Sequence, residues 1–309
     1  MNRVDLSAQL APNNSRGLLL ANPVMTASGT FGYGTEYADV VDVQRLGAVV
    51  CKGTTLKPRA GNVQPRMVEV AGGIINSIGM ENIGVDALIR EKAPVWAEWT
   101  VPVIINILGE NVAEYGELAA RLNGVAGISA LEVNVSCPNV AGGGIEFGAR
   151  PESAAEVTNA VKARTSLPVI VKLSPNVTDI AAIARAVAGA GADSITLINT
   201  VKAMAIDLQS RKPALANIVG GLSGPAIKPV ALCMVYEVAG EVSIPVIGCG
   251  GISTAADAIE FLMAGASAVQ VGTATFANPR AALDILEGVE RFMEKEGVAS
   301  LSELIGAAR

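Results

Sequence analysis

Apolar, β-rich segments return eight times along this chain, and that recurrence limits its fold more than any other feature. They run Val24 to Ser28, Ala48 to Lys52, Val103 to Ile107, Ala130 to Val135, Val169 to Leu173, Ser194 to Ile198, Val246 to Cys249 and Ala268 to Val271. Short apolar runs of this kind suit parallel strands covered by helices on their faces. Between them the spacing turns helical: Ile180, Ile183, Ala184 and Val187 fall at i, i+3, i+4 and i+7, and Val112, Tyr115, Ala119 and Leu122 make a similar stripe. Thr254-Ala255-Ala256-Asp257 and Ser300-Leu301-Ser302-Glu303 read as capping-box starts. Strand and helix alternating eight times predicts an α/β fold, a (β/α)8 barrel, over residues 1–309 as one domain. A doubly wound sheet is the alternative, but the repeat shows no switch point.

Two further features bear on this frame. Val4-Asp5-Leu6 and Leu18-Leu19-Leu20 flank a polar Pro12-Asn13-Asn14 turn and predict a hairpin ahead of the barrel. Two connections, Gly53 to Trp99 and Val201 to Leu222, are too long for ordinary βα loops, and long connections in compact domains are usually functional or disordered. Both follow strand C-termini, so both are expected over the face where barrels keep their chemistry.

Composition narrows the function. Half of the 309 residues are hydrophobic, enough for a large core, and a net charge of −6 argues against a nucleic-acid footprint. The chain has no histidine. A Ser-His-Asp triad, a Cys-His pair and a histidine metal site are therefore excluded, and a general base must be Cys, Lys, Asp, Glu or Tyr. Cys51, Cys137, Cys233 and Cys249 form no Cys-x-x-Cys pair, so an iron–sulfur cluster on this chain is not expected. With no charged-then-apolar leader and no apolar run of spanning length, a soluble cytoplasmic protein with reduced thiols is expected.

The strand ends carry the chemistry: Ser28-Gly29, Lys52-Gly53, Asn106, Asn134 with Cys137, Lys172, Asn199-Thr200, Gly250-Gly251 and Gly272-Thr273. Any one could be a turn residue, but polar groups at every tip point to a polar ligand site, since unpartnered burial is costly. The Gly250-Gly251 and Gly272-Thr273 turns after strands seven and eight, with helices expected near Thr254 and Pro279, fall where barrels bind phosphate. Lys52 and Lys172 end apolar strands; each is either an anion clamp or a Schiff-base lysine, and position alone does not separate the two. Asn76, Asn134 and Asn199 with Thr200 offer donors and acceptors suited to a planar, amide-rich ligand such as a pyrimidine. Asn134-Val-Ser-Cys-Pro-Asn139 is followed by Gly142-Gly143-Gly144, which gives the backbone freedom to move over the strand tip. Cys137 is either a functional thiol or a half-buried one before a turn.

Eight motifs, in order and across nearly the whole chain, resemble those of class 1 dihydroorotate dehydrogenases. They are Thr26-Ala-Ser-Gly29, Lys52-Gly-Thr-Thr55, Asn76-Ser77-Ile78-Gly79-Met80, Asn134-Val-Ser-Cys-Pro-Asn139, Val171-Lys-Leu-Ser-Pro175, Ile198-Asn-Thr200, Gly220-Gly-Leu-Ser-Gly-Pro225 and Gly248-Cys-Gly-Gly251. Cysteine in Ser-Cys-Pro-Asn resembles class 1, where class 2 enzymes use serine. Met204-Ala-Ile-Asp207 and Arg211-Lys-Pro-Ala-Leu-Ala-Asn217 resemble subtype B, in which a partner subunit with FAD and a 2Fe–2S cluster passes electrons to NAD+; Ala203 departs from the glycine expected there.

The resemblance implies FMN as cofactor and oxidation of (S)-dihydroorotate to orotate in pyrimidine biosynthesis. It implies Cys137 as general base, under a lid from Val140 to Phe147. Lys52, Asn76, Ser77, Ile78, Gly79, Met80, Asn134, Asn199 and Thr200 would hold substrate. Ser28, Lys52, Gly53, Asn106, Asn134, Ile198 and Gly224 would line the flavin, Lys172 its N1/O2 edge, and Gly250, Gly251, Gly272 and Thr273 its phosphate. A homodimer within a heterotetramer follows from subtype B. Four rivals stand beside it: the fumarate-using homodimer of subtype A, a flavin domain acting on dihydropyrimidines rather than dihydroorotate, a barrel lyase with Lys172 as Schiff base, and a non-catalytic scaffold.

Overall fold

The eight predicted segments become eight parallel strands in a computed structural model that describes residues 4–136, 138–139 and 145–309. They are β1 (Val24–Thr26), β2 (Val49–Thr54), β3 (Val103–Ile107), β4 (Ala130–Asn134), β5 (Val169–Lys172), β6 (Ser194–Leu197), β7 (Val246–Cys249) and β8 (Ala268–Val271). Pairing runs from β2 through β3, β4, β5, β6, β7 and β8 to β1. A parallel bridge between Met25 and Ala48 joins the two ends, and the Val50 N–H donates to Thr26 Oγ1 at 2.9 Å across the same seam. The sheet is thus closed, with no switch point, as the repeat requires.

The strands are buried along nearly their whole length because helices cover them. Val112–Leu122 buries Tyr115, Leu118, Ala119 and Leu122, and Ile180–Gly189 buries Ile180, Ile183, Ala184 and Val187, the predicted stripes with little change. Both expected capping boxes form, at Thr254 with Asp257 and at Ser300 with Glu303.

Two expectations need correction. The first hairpin strand is Ala8–Gln9, pairing with Leu19–Leu20, and not Val4 to Leu6. Gln9 Oε1 accepts from the N–H groups of Ala11 and Leu18 and so tightens the turn, while Asp5 forms a parallel bridge with Ser300. The alternation of strand and helix also fails once: turns and one 3-10 turn, Val43–Arg45, follow β1, where Gly29, Gly32 and Gly34 disfavour a helix. After β8 a short helix, Ala274–Ala277, precedes Ala281–Glu296, which begins two residues after Pro279, where a helix was expected.

The two long connections are strand-forming. Val201–Ala203, Gly220–Ser223, Gly73–Asn76 and Met67–Val70 form a four-stranded antiparallel sheet in that order, pairing Asn76 with Gly221. No described helix is long and apolar enough to cross a membrane. Cys137 and residues 140–144 of the expected lid lie outside the described residues.

Candidate active site

Inside a barrel, alternate residues of each strand point inward and stack in layers. Here one layer is polar. Glu132 is fully buried, and its two oxygens accept from Asn106 Nδ2 at 2.7 Å, Thr196 Oγ1 at 3.0 Å and Gln270 Nε2 at 2.5 Å. Lys172 Nζ lies 4.0 Å from Glu132 Oε1 and donates to Gln270 Oε1 at 3.2 Å and Cys249 Sγ at 3.7 Å. Burial alone would favour the neutral amine, but Cys249 and the Glu132 carboxyl outweigh it and hold the lysine above its ordinary range. Burial pushes the Cys249 thiol up. A buried cation with a hydrogen-bonded carboxylate is far less costly than either charge alone.

Above this layer, at the strand C-termini, a cavity of about 490 Å3 gathers most of the expected residues. Ser28, Lys52, Gly53, Asn76, Ile78, Met80, Asn106, Asn134, Lys172, Ile198, Asn199, Thr200, Gly224, Gly250, Gly251, Gly272 and Thr273 all line it. Ser77 and Gly79 do not. Asn76, Ile78 and Met80 line the cavity, and Gly79 and Met80 take left-handed backbone (φ +79° and +58°), so the chain turns there rather than continuing as a strand. A side chain on Gly79 would meet Asn62 at 2.5 Å, and Ser77 Oγ is buried without a hydrogen-bond partner.

The asparagines are held in fixed orientations. Asn134 Oδ1 accepts from the Ser136 N–H at 3.0 Å and from Asn199 Nδ2 at 3.2 Å, which turns the Asn134 Nδ2 donor the other way. Tyr115 donates to the Asn134 carbonyl at 2.7 Å, and the Thr200 N–H donates to Asn199 Oδ1 at 2.8 Å. Gly221 is where the antiparallel sheet meets the site: a Cβ there would lie 2.0 Å from Thr200 Oγ1. The close approach of that strand to Thr200 therefore requires glycine.

At the other end, Gly250 and Gly251 follow the last ladder residue of β7. Gly251 has φ +75°, and a Cβ would meet the Lys228 backbone N at 2.7 Å. Only glycine lets this turn pack against the start of helix Lys228–Ala239. Gly272 and Thr273 lead into Ala274–Ala277, with Thr273 Oγ1 donating to Ser223 Oγ at 2.8 Å.

Sequence reasoning missed Glu132, Thr196 and Gln270 beneath the site, and Arg66 and Glu81 at its wall. Glu132 was findable as a charge inside an apolar strand. Arg66 pairs with Glu81, whose carboxyl is held below its ordinary range by that hydrogen bond and charge and by nearby Lys52. No cluster of three or more metal-ligating side chains occurs among the described residues.

The family model for dihydroorotate dehydrogenase matches residues 11–293. A protein of Pelobacter propionicus named dihydroorotate dehydrogenase B (NAD(+)), catalytic subunit, is 58% identical over 294 residues, covering 95% of this chain and 97% of its own. Proteins of the same name from Desulforamulus reducens and Geotalea daltonii are 58% identical over 289 residues and 53% identical over 309, covering 94% and 100% of this chain and 95% and 100% of their own. By the matched model and this depth of identity, the chain belongs to the dihydroorotate dehydrogenase family.

Proposed function

We propose that this chain is the FMN-binding catalytic subunit of an NAD+-linked dihydroorotate dehydrogenase, oxidising (S)-dihydroorotate to orotate in pyrimidine biosynthesis. Its electrons would leave through a partner subunit carrying FAD and a 2Fe–2S cluster, in a cytoplasmic assembly of two copies of each chain. The observation that carries the reading is one cavity with three kinds of wall: a cation and a fixed acceptor at its floor, glycine turns at one end, and oriented asparagines at the other.

The residues present fit FMN. Asn106 gives its Nδ2 to Glu132, leaving Oδ1 as an acceptor beside Gly53, and Lys172 supplies a buried cation. An acceptor and a cation match a ring edge that carries both an N–H and a carbonyl. Ser28, Gly53, Ile198 and Gly224 would line the ring and its side chain. Gly250, Gly251, Gly272 and Thr273 would hold the phosphate on N–H groups and the start of Ala274–Ala277. FMN, when bound, supplies the hydride acceptor.

The chain's own residues would do the rest. Asn76, Asn134, Asn199 and Thr200 hold the pyrimidine ring and carboxylate, with Ile78 and Met80 as the apolar wall. Lys52 lies between the two ligands. Cys137 takes the proton from substrate C5, a role for which a thiol serves in a water-poor site. Lys172 acts as a fixed cation that favours negative charge on the reduced ring. The Schiff-base reading loses support here, because a nucleophilic lysine needs a depressed pKa and Lys172 is held above its ordinary range.

The test is the visible spectrum of the purified chain before and after anaerobic addition of dihydroorotate. A yellow protein that bleaches on mixing is expected. A flavin that stays oxidised overturns the substrate, and failure to take up FMN overturns the cofactor.

A further inference from the structure

We propose that Glu132, which lines no part of the cavity, is a positioning residue that fixes the polarity of the flavin floor by acting through Asn106, Gln270 and Lys172. The proposal rests on the reading that FMN occupies the cavity.

Glu132 works through two routes. In the first, its Oε1 takes the Asn106 Nδ2, so the only polar group Asn106 can turn elsewhere is its carbonyl oxygen. Without that carboxylate the amide has no reason to prefer one orientation, and donor and acceptor exchange places. In the second, its Oε2 takes Gln270 Nε2, which aims Gln270 Oε1 at the Lys172 ammonium. Gln270 thus relays the carboxylate's preference to the lysine, while Glu132 also faces Lys172 directly at 4.0 Å. Thr196 donates to the same Oε2 and holds the carboxylate in place. One buried acid therefore sets an acceptor at one point of the floor and a cation at another.

The ionisable groups that face Lys172 are Glu132 from β4 and Cys249 from β7; Gln270 from β8 and Thr196 from β6 carry no charge. Burial holds the Cys249 thiol above its ordinary value, against the pull of Lys172. With Glu132 removed, Cys249 alone is left to oppose burial, which favours the neutral amine, so Lys172 shifts down from its wild-type position.

The measurement is FMN affinity and flavin reduction potential against pH, on the flavin-loaded chain, for wild type, Glu132→Gln and the double variant Glu132→Gln with Lys172→Met. Wild type should show no lysine ionisation below the ordinary lysine value of about 10.4, because Lys172 is held above it. Glu132→Gln should show a new step at lower pH than wild type. Above it the dissociation constant for FMN rises about tenfold and the potential falls, since the cation is gone. In the double variant the step should vanish, because its titrating group is absent. A merely structural role for Glu132 would shift affinity equally at every pH.

A Glu132→Gln profile parallel to wild type, or a step that survives in the double variant, overturns the proposal. Should Glu132→Gln fail to accumulate, Gln270→Met carries the same test with a smaller step, and a flat profile there overturns the relay. Wild type that binds no FMN overturns the cofactor reading instead, so the two failures are distinguishable.

Discussion

At the scale of single residues, the site depends on side chains whose second hydrogen-bonding end is already committed. Asn134 spends its oxygen on Ser136 and Asn199, Asn106 spends its nitrogen on Glu132, and each presents a single kind of group to a ligand. Such preorganisation costs no reordering when the ligand arrives. Cys137, the proposed base, is assigned by its place in Asn134-Val-Ser-Cys-Pro-Asn139 and by the lack of any histidine. Cys137→Ala should keep bound FMN, judged by its visible spectrum, yet slow dihydroorotate-driven bleaching about 10²–10⁴-fold, the usual worth of a positioned base. Cys137→Ser should retain a little activity that grows with pH, because a hydroxyl is a weaker acid than a thiol. Near-normal bleaching in the alanine variant would remove Cys137 from that role.

At the scale of elements, helix starts near the site are fixed by ion pairs as well as caps. Asp257 at the start of Ala255–Met263 accepts from the Ser253 and Thr254 N–H groups and pairs with Lys228 at 2.6 Å, tying this helix to Lys228–Ala239. Burial would raise the Asp257 carboxyl, but the bonds from Lys228, Ser253 and Thr254 outweigh it and hold it below its ordinary range. A depressed acid stabilises the fold fully above its unfolded pKa of about 3.9 and ceases to do so as pH falls through the folded value. Asp257→Ala should therefore cost about 1–2 kcal/mol at pH 7, and noticeably less near pH 3. Thermal unfolding of both proteins at the two pH values checks this; an equal gap at both would assign the cost to packing. The four-stranded sheet over the barrel shows a different limit. Its pairing of Asn76 with Gly221 spans 145 positions of sequence, and nothing local in either segment announces the other.

At the scale of the whole molecule, a closed barrel puts every strand C-terminus around one cavity, and the proposed exit of electrons to a partner adds a surface beyond it. Dihydroorotate should bleach the flavin of the isolated chain, while NADH should form only after an electron-transfer subunit carrying FAD and an iron–sulfur cluster is added. NADH formation by the isolated chain at the rate of the complex would remove the need for the partner. The sequence by itself determined the barrel. Eight apolar runs leave parallel strands no other way to be covered, and the spacing of 180, 183, 184 and 187 marks the packed face of a helix whatever lies opposite. It also determined the strand-tip residues, because a polar group at the end of an apolar strand has few places to go. Only the tertiary structure decided which of those groups work together. Glu132, Thr196 and Gln270 come from three strands far apart in sequence, and closure of the sheet brings them within hydrogen-bond distance. The direction of an amide and the charge of a buried lysine are properties of such neighbours, and a chain carries no local record of them.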